Sequence, residues 1–191
     1  MTKLEEKLLA QIRARLAELD VRASDKLAAL LPAFYPALPI MAMCIVMTNG
    51  LPHWRLYVWM MFGLSVASDG FALFFGMAFG KRKLIPRVSP NKTVAGAIGG
   101  FVGSLFAAAI IFLNSLYFGD GVPFWIFIVL ALIGSLMTQV GDIVASYIKR
   151  FCGVKDFGKI FPGHGGLLDR LDGIMYNAVA LCIYLLILTV I

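Results

Sequence analysis

Apolar residues run along this chain in long uncharged stretches, without the strict alternation or one-sided stripe of a soluble fold. Such runs extend from Leu27 to Trp54, Val94 to Gly119, Gly121 to Gly141 and Gly173 to Ile191, and a fifth, Leu56 to Gly80, is interrupted only by Asp69. Each is long enough to cross a hydrocarbon layer about 30 Å thick at 1.5 Å per residue. Unsatisfied backbone groups are costly in lipid, so the runs are predicted to be helices. The fold class that follows is all-α: a polytopic helical membrane protein with about five transmembrane helices.

Ahead of the spans, residues 2–20 set Leu4, Leu8, Leu9, Ile12, Leu16 and Leu19 at helical spacing among Lys, Arg and Glu. That pattern predicts an amphipathic helix on the inner surface or against a partner. Ser24 is suited to cap a second helix leading into the membrane. Residues 1–30 are thus expected as an N-terminal amphipathic cytoplasmic region and 31–191 as the membrane-embedded domain. Pro32, Pro36 and Pro39 predict a kinked entry to the first span. Gly96, Gly99, Gly100 and Gly103 give one helix the small-residue spacing that favours close packing.

Composition agrees with the pattern. The chain has 191 residues, 60% of them hydrophobic and 15% charged, so it has too little polar surface for a soluble domain. The net charge of +6 points to topology, with no need of nucleic acid as a partner. Six Lys or Arg precede the first run and Arg55 alone follows it. The next connection holds five (Lys81, Arg82, Lys83, Arg87, Lys92), the one after it none, and the last five (Lys149, Arg150, Lys155, Lys159, Arg170). With a cytoplasmic N-terminus, alternate connections face inward and 16 of 17 basic residues lie inside, as expected of a multi-pass protein of a bacterial inner membrane. The three cysteines are scattered, which reads as free thiols without structural zinc. The start of the chain has no cleavable-signal pattern, so the spans themselves are expected to direct insertion.

Two carboxylates fall where a membrane protein avoids them. Asp69 lies roughly 16 Å from the cytoplasmic end of its span and Asp142 roughly 10 Å from Lys149, at 1.5 Å per residue. Intramembrane acids are expensive and usually functional. Asp142, Ser146, Lys149 and Arg150 recur at i, i+4, i+7 and i+8, which aligns an acid, a hydroxyl and two cations on one helical face. Such a face suits a metal ion at one end and phosphates at the other. The following connection sets His164 among Gly163, Gly165 and Gly166, then places Asp169 and Asp172 three residues apart. Glycine amides can bind phosphate oxygens, and paired carboxylates suit Mg²⁺. The segment Ser89-Pro90-Asn91-Lys92-Thr93 offers hydroxyls and an ammonium at the membrane entrance.

The run Ser146-Tyr-Ile-Lys-Arg150, Lys155-Asp156 and His164-Gly-Gly-Leu-Leu-Asp-Arg-Leu-Asp172 resembles the signature of the phosphatidate cytidylyltransferase (CDP-diacylglycerol synthase) family. Asp69 with Gly76, Gly80-Lys81, Ser89-Pro90, Lys92-Thr93 and Gly96 is similar to the same family, and the resemblance covers roughly Trp54 onward. It implies transfer of a cytidylyl group from CTP to phosphatidate, with Mg²⁺ and room for a second, monovalent cation. It further implies that Asp142, Asp169 and Asp172 are the metal carboxylates and that Lys149, Arg150, Lys155, His164 and Arg170 engage phosphates. A homodimer is implied by the resemblance alone. Ala145 and Ala95 stand where family members commonly carry Glu, and Leu73 where a Tyr is usual. Two further readings share these features: a cytidylyltransferase acting on another lipid phosphate, as in CDP-archaeol synthase, and an ion-coupled transporter built on buried aspartates. The missing glutamates motivate a third, an inactive relative kept as a scaffold.

Overall fold

The computed structural model describes residues 11, 13–14, 33–48, 53–86, 88–154, 156–158 and 166–190. The chain divides into two compact units, Met1–Leu38 and Pro39–Ile191. In the first, Gln11, Arg13 and Ala14 are helical and exposed, and Ala33–Ala37 forms one π-helical turn containing Pro36. The leucines of the expected amphipathic helix and Ser24 lie outside the described residues.

α1 (Leu38–Met47) starts at the boundary, and the second unit contains α2 (Trp54–Phe79), α3 (Val94–Phe118), α4 (Phe124–Phe151) and α5 (Leu168–Val190), with strands β1 (Lys83–Ile85) and β2 (Ser89–Thr93) between α2 and α3. Helices α2 to α5 are each long and apolar enough to cross a membrane. The fold is therefore an all-α polytopic membrane architecture. In the first apolar run the described residues form an apolar helix over Tyr35–Met47, about 20 Å at 1.5 Å per residue. Its first turn is π-helical around Pro36, which lacks the amide that a regular α-helical turn requires.

Each long helix begins and ends for a local reason. The Thr93 hydroxyl accepts the Gly96 amide at 3.0 Å and caps α3, which ends at Gly119 in the left-handed conformation, φ 72°. Pro123 precedes α4, where its missing amide costs nothing. His53, also left-handed at φ 58°, opens α2 and lies 2.9 Å through Nδ1 from Asp120 Oδ1, which ties the two connections at that end. The α2–α3 connection, expected as a basic loop, is an antiparallel hairpin with Lys83 opposite Thr93 and Ile85 opposite Ser89.

The glycines of α3 let α2 lie against it at close range. A Cβ on Gly99 would stand 2.5 Å from Phe75 Cβ, and one on Gly96 would stand 2.8 Å from the Ala72 carbonyl. Between α4 and α5 the same device recurs: a Cβ on Gly141 would meet the Asp172 carbonyl at 2.7 Å, and one on Gly173 the Thr138 methyl at 2.7 Å. Met60, Met61, Leu64, Phe127, Ala131, Ala178 and Leu181 fill the space these helices enclose. The α2–α3 and α4–α5 connections, which with the adjoining turns of α4 and α5 carry ten of the 17 basic residues, sit at one end of the helix set.

Candidate functional site

At that basic end three of the long helices each present one carboxylate: Asp69 from α2, Asp142 from α4 and Asp172 from α5. They lie close enough to repel one another. Asp172 is the most enclosed, at 7% exposure, and its Oδ1 accepts the amide of Gly173 at 2.8 Å. Asp142 Oδ2 is 2.7 Å from Lys92 Nζ, which also donates to the Gln139 carbonyl at 3.4 Å. Lys92 is carried there by β2, so the hairpin delivers the cation to the carboxylates. Asp69 makes no hydrogen bond or ion pair among the described residues and faces an open cavity.

That cavity has a volume of about 560 Å³ and two unlike walls. Asp69, Asp142, Lys83, Ser89, Asn91, Lys92, Thr93 and Gln139 form the polar wall. Ala72, Leu73, Met77, Leu84 and Ile143 form the apolar one, and Leu73 and Met77 are also exposed on the outside of the helix set. Such a space suits a ligand that is anionic at one end and greasy at the other.

A second polar cluster lies where α4 ends and α5 begins. Lys149 Nζ is 2.8 Å from Asp169 Oδ1, and the amides of Phe157 and Gly166 both donate to Asp169 Oδ2 at 2.9 Å. The Asp169 side chain reaches back to the amide three residues earlier, as a capping-box acid does. Both partners are nearly enclosed, with side chains 12% and 8% exposed, and Lys149 stands 5.5 Å over the Phe157 ring. This pair fastens the connection to the helix ends.

The expected site residues therefore fall into three sets. Asp69, Ser89, Lys92, Thr93, Asp142 and Asp172 gather at or beside the cavity. Lys149 and Asp169 form the fastening pair, to which the Gly166 amide donates, so the carboxylates expected around one ion are divided: Asp142 and Asp172 come together, while both Asp169 oxygens are engaged by Lys149 and two amides. Ser146 is buried, and Arg150, Asp156 and Arg170 are exposed. Lys155, His164 and Gly165 lie outside the described residues. Among the described residues no three His, Cys, Asp or Glu side chains form a group arranged to hold a metal ion. Lys83, Asn91 and Gln139 line the cavity without having been singled out from sequence. Gln139, a polar residue within an apolar run and three positions before Asp142, was the visible signal.

Together these features define a class: a polytopic helical membrane protein with a carboxylate and cation site opening at one membrane face. The sequence model of the cytidylyltransferase family matches residues 7–188, and the chain belongs to that family. It is 46% identical over 125 residues to a protein of Staphylococcus aureus (strain COL) named phosphatidate cytidylyltransferase, covering 65% of this chain and 45% of that one. A Staphylococcus haemolyticus protein of the same name is 39% identical over 148 residues, 77% of this chain and 54% of its own. One from Brucella abortus is 44% identical over 128 residues, 65% and 44% respectively. The chain spans about half the length of these curated relatives.

Proposed function

We propose that the protein transfers the cytidylyl group of CTP to phosphatidate, giving CDP-diacylglycerol and pyrophosphate, with its basic end facing the cytoplasm. The observation that carries this reading is the cavity in which Asp69, Asp142 and Lys92 face an apolar wall, with the enclosed Asp172 beside it. The lipid phosphate is already anionic and needs no strong base. Its oxygen forms a bond to the α-phosphorus of CTP while the bond from that phosphorus to the β-phosphate oxygen breaks, and pyrophosphate carries away the electron pair.

What the chain contributes is alignment and compensation of charge. Lys92, held by Asp142, and Lys83 lie within the cavity to meet phosphate oxygens, and Ser89 and Thr93 add hydroxyls. Exposed Arg150 and Arg170 border the water side, where a triphosphate arrives. The apolar wall holds the glycerolipid and keeps water from the reacting atoms. Mutual repulsion among Asp69, Asp142 and Asp172, with Lys92 as the cation in contact, fits a divalent cation. Mg²⁺ takes one or two carboxylates and fills its remaining positions with water and phosphate oxygens. Asp142 and Asp172 are the residues we assign to it, and when bound it would neutralise charge on the triphosphate. Asp169 joins them only by leaving Lys149.

Purified protein in lipid nanodiscs, given labelled CTP, Mg²⁺ and a panel of lipid phosphates, is expected to form CDP-diacylglycerol from phosphatidate. Asp142→Asn is expected to lower that rate at least about a hundredfold. Unchanged turnover in the variant, or a preference for another lipid phosphate, would overturn the assignment.

A further inference from the structure

One turn deeper in the membrane than the carboxylates, the same three helices meet again through uncharged polar side chains. Ser65 precedes Asp69 by four residues on α2, Thr138 precedes Asp142 by four on α4, and Asn177 follows Asp172 by five on α5. All three are fully buried. Ser65 Oγ donates to its own Met61 carbonyl at 3.0 Å, which leaves its oxygen to receive from the other two: Thr138 Oγ1 lies 3.0 Å away and Asn177 Nδ2 3.1 Å away. Asn177 Nδ2 also reaches the Met61 carbonyl at 2.9 Å. One hydroxyl oxygen is thus the meeting point of α2, α4 and α5.

Two details set this tier apart from ordinary polar contacts between membrane helices. Asn177 keeps its amide although its Oδ1 finds no partner among the described residues. That oxygen is pressed towards Gly134, where an added Cβ would lie 2.7 Å away. A buried acceptor without a donor is unfavourable, so an apolar side chain would serve simple packing better. Next to the tier, a Cβ added to Gly173 would stand 2.7 Å from the Thr138 methyl and 3.7 Å from Asp69 Oδ2, so this glycine lies between tier and carboxylate.

The geometry points to Ser65, Thr138 and Asn177 as positioning residues for the carboxylate site, a buried hydrogen-bonded tier that sets the separation of Asp69, Asp142 and Asp172. The three acids repel one another, and repulsion alone would spread their helices. The tier opposes it from about 6 Å below, four residues at 1.5 Å each. The inference rests on the functional reading above insofar as the acids bind a divalent cation.

The test uses the full chain, with Mn²⁺ as a spectroscopic probe of the acids and Mg²⁺-supported CDP-lipid formation as a second readout. Thr138→Val, isosteric but without the hydroxyl, and Ser65→Ala are compared with Thr138→Ser. The reference is Ser104→Ala, which removes an equally buried hydrogen bond from Ser104 Oγ to the Leu64 carbonyl, on a helix carrying no site carboxylate. Thr138→Val and Ser65→Ala are expected to weaken Mn²⁺ binding about tenfold and to lower kcat similarly, with KM for CTP within about twofold. Thr138→Ser should restore both, and Ser104→Ala should match wild type. Melting temperatures that fall equally in Thr138→Val, Ser65→Ala and Ser104→Ala, with Mn²⁺ affinity unmoved, would overturn the proposal. If Thr138→Val does not fold, Ser65→Ala decides the matter alone. Shifted Mn²⁺ affinity in a wild-type background that makes no CDP-lipid would keep the tier's role and sink the enzymatic reading instead.

Discussion

Asp69 shows most directly how function and stability oppose each other at a single residue. It sits within a membrane-spanning helix, has no hydrogen bond or ion pair among the described residues, and has Asp142 within repelling distance. Burial and Asp142 both oppose its charge, Lys92 offsets them only in part, and a cation or a phosphate-bound metal would do the rest. Asp69→Asn is therefore expected to raise the melting temperature by about 2–4 °C in detergent while lowering turnover about tenfold. A melting point that falls would show that the carboxylate is structural. The placing of this acid inside a long helix was legible in sequence, because an acid within an apolar run is conspicuous. The role of Asp169 was not. Its pattern, two acids three residues apart after a glycine-rich stretch, reads as a metal pair, yet Lys149 and two amides claim it. Which acid a lysine seven residues beyond Asp142 will choose depends on how α4 meets α5, and no local spacing encodes that.

At the level of elements, the long uncharged runs announced α2 to α5, since twenty or so apolar residues have few other fates. They gave the helix ends less well. α4 continues ten residues past Gly141, the end of the uncharged run, to Phe151, and α5 starts at Leu168, five residues before its run begins at Gly173. The hairpin of β1 and β2 was hidden because its strands are three and five residues long and mostly polar. Short strands of that kind show little alternation, and pairing supplies what the pattern lacks. The start of α5 depends on the Lys149–Asp169 pair. Lys149→Met would leave an enclosed carboxylate with two amides and no cation, and is expected to destabilise the protein by about 3 kcal/mol. Denaturant titration in mild detergent measures this; a loss below about 0.5 kcal/mol would mean that the pair behaves as a surface salt bridge.

For the molecule as a whole, the positive charge at one end predicts orientation. Cys152 is exposed just beyond α4 at the basic end, Cys182 is buried, and Cys44 is exposed on α1. In a Cys44→Ser background, a membrane-impermeant maleimide should leave Cys152 unlabelled in intact spheroplasts and label it in inverted vesicles. The opposite pattern would place the site outside the cell. The covalent order of the helices has a further consequence. α2 with α3 and α4 with α5 form two helix pairs joined only by Gly119–Pro123, a short stretch with two left-handed glycines and no cavity-lining residue. One pair brings Asp69 and Lys92, and the other brings Asp142 and Asp172. Cells making the two halves as separate polypeptides should thus regain CDP-lipid synthesis when both are present and have none with either alone, because each half inserts by itself and only their docking reunites the reacting groups.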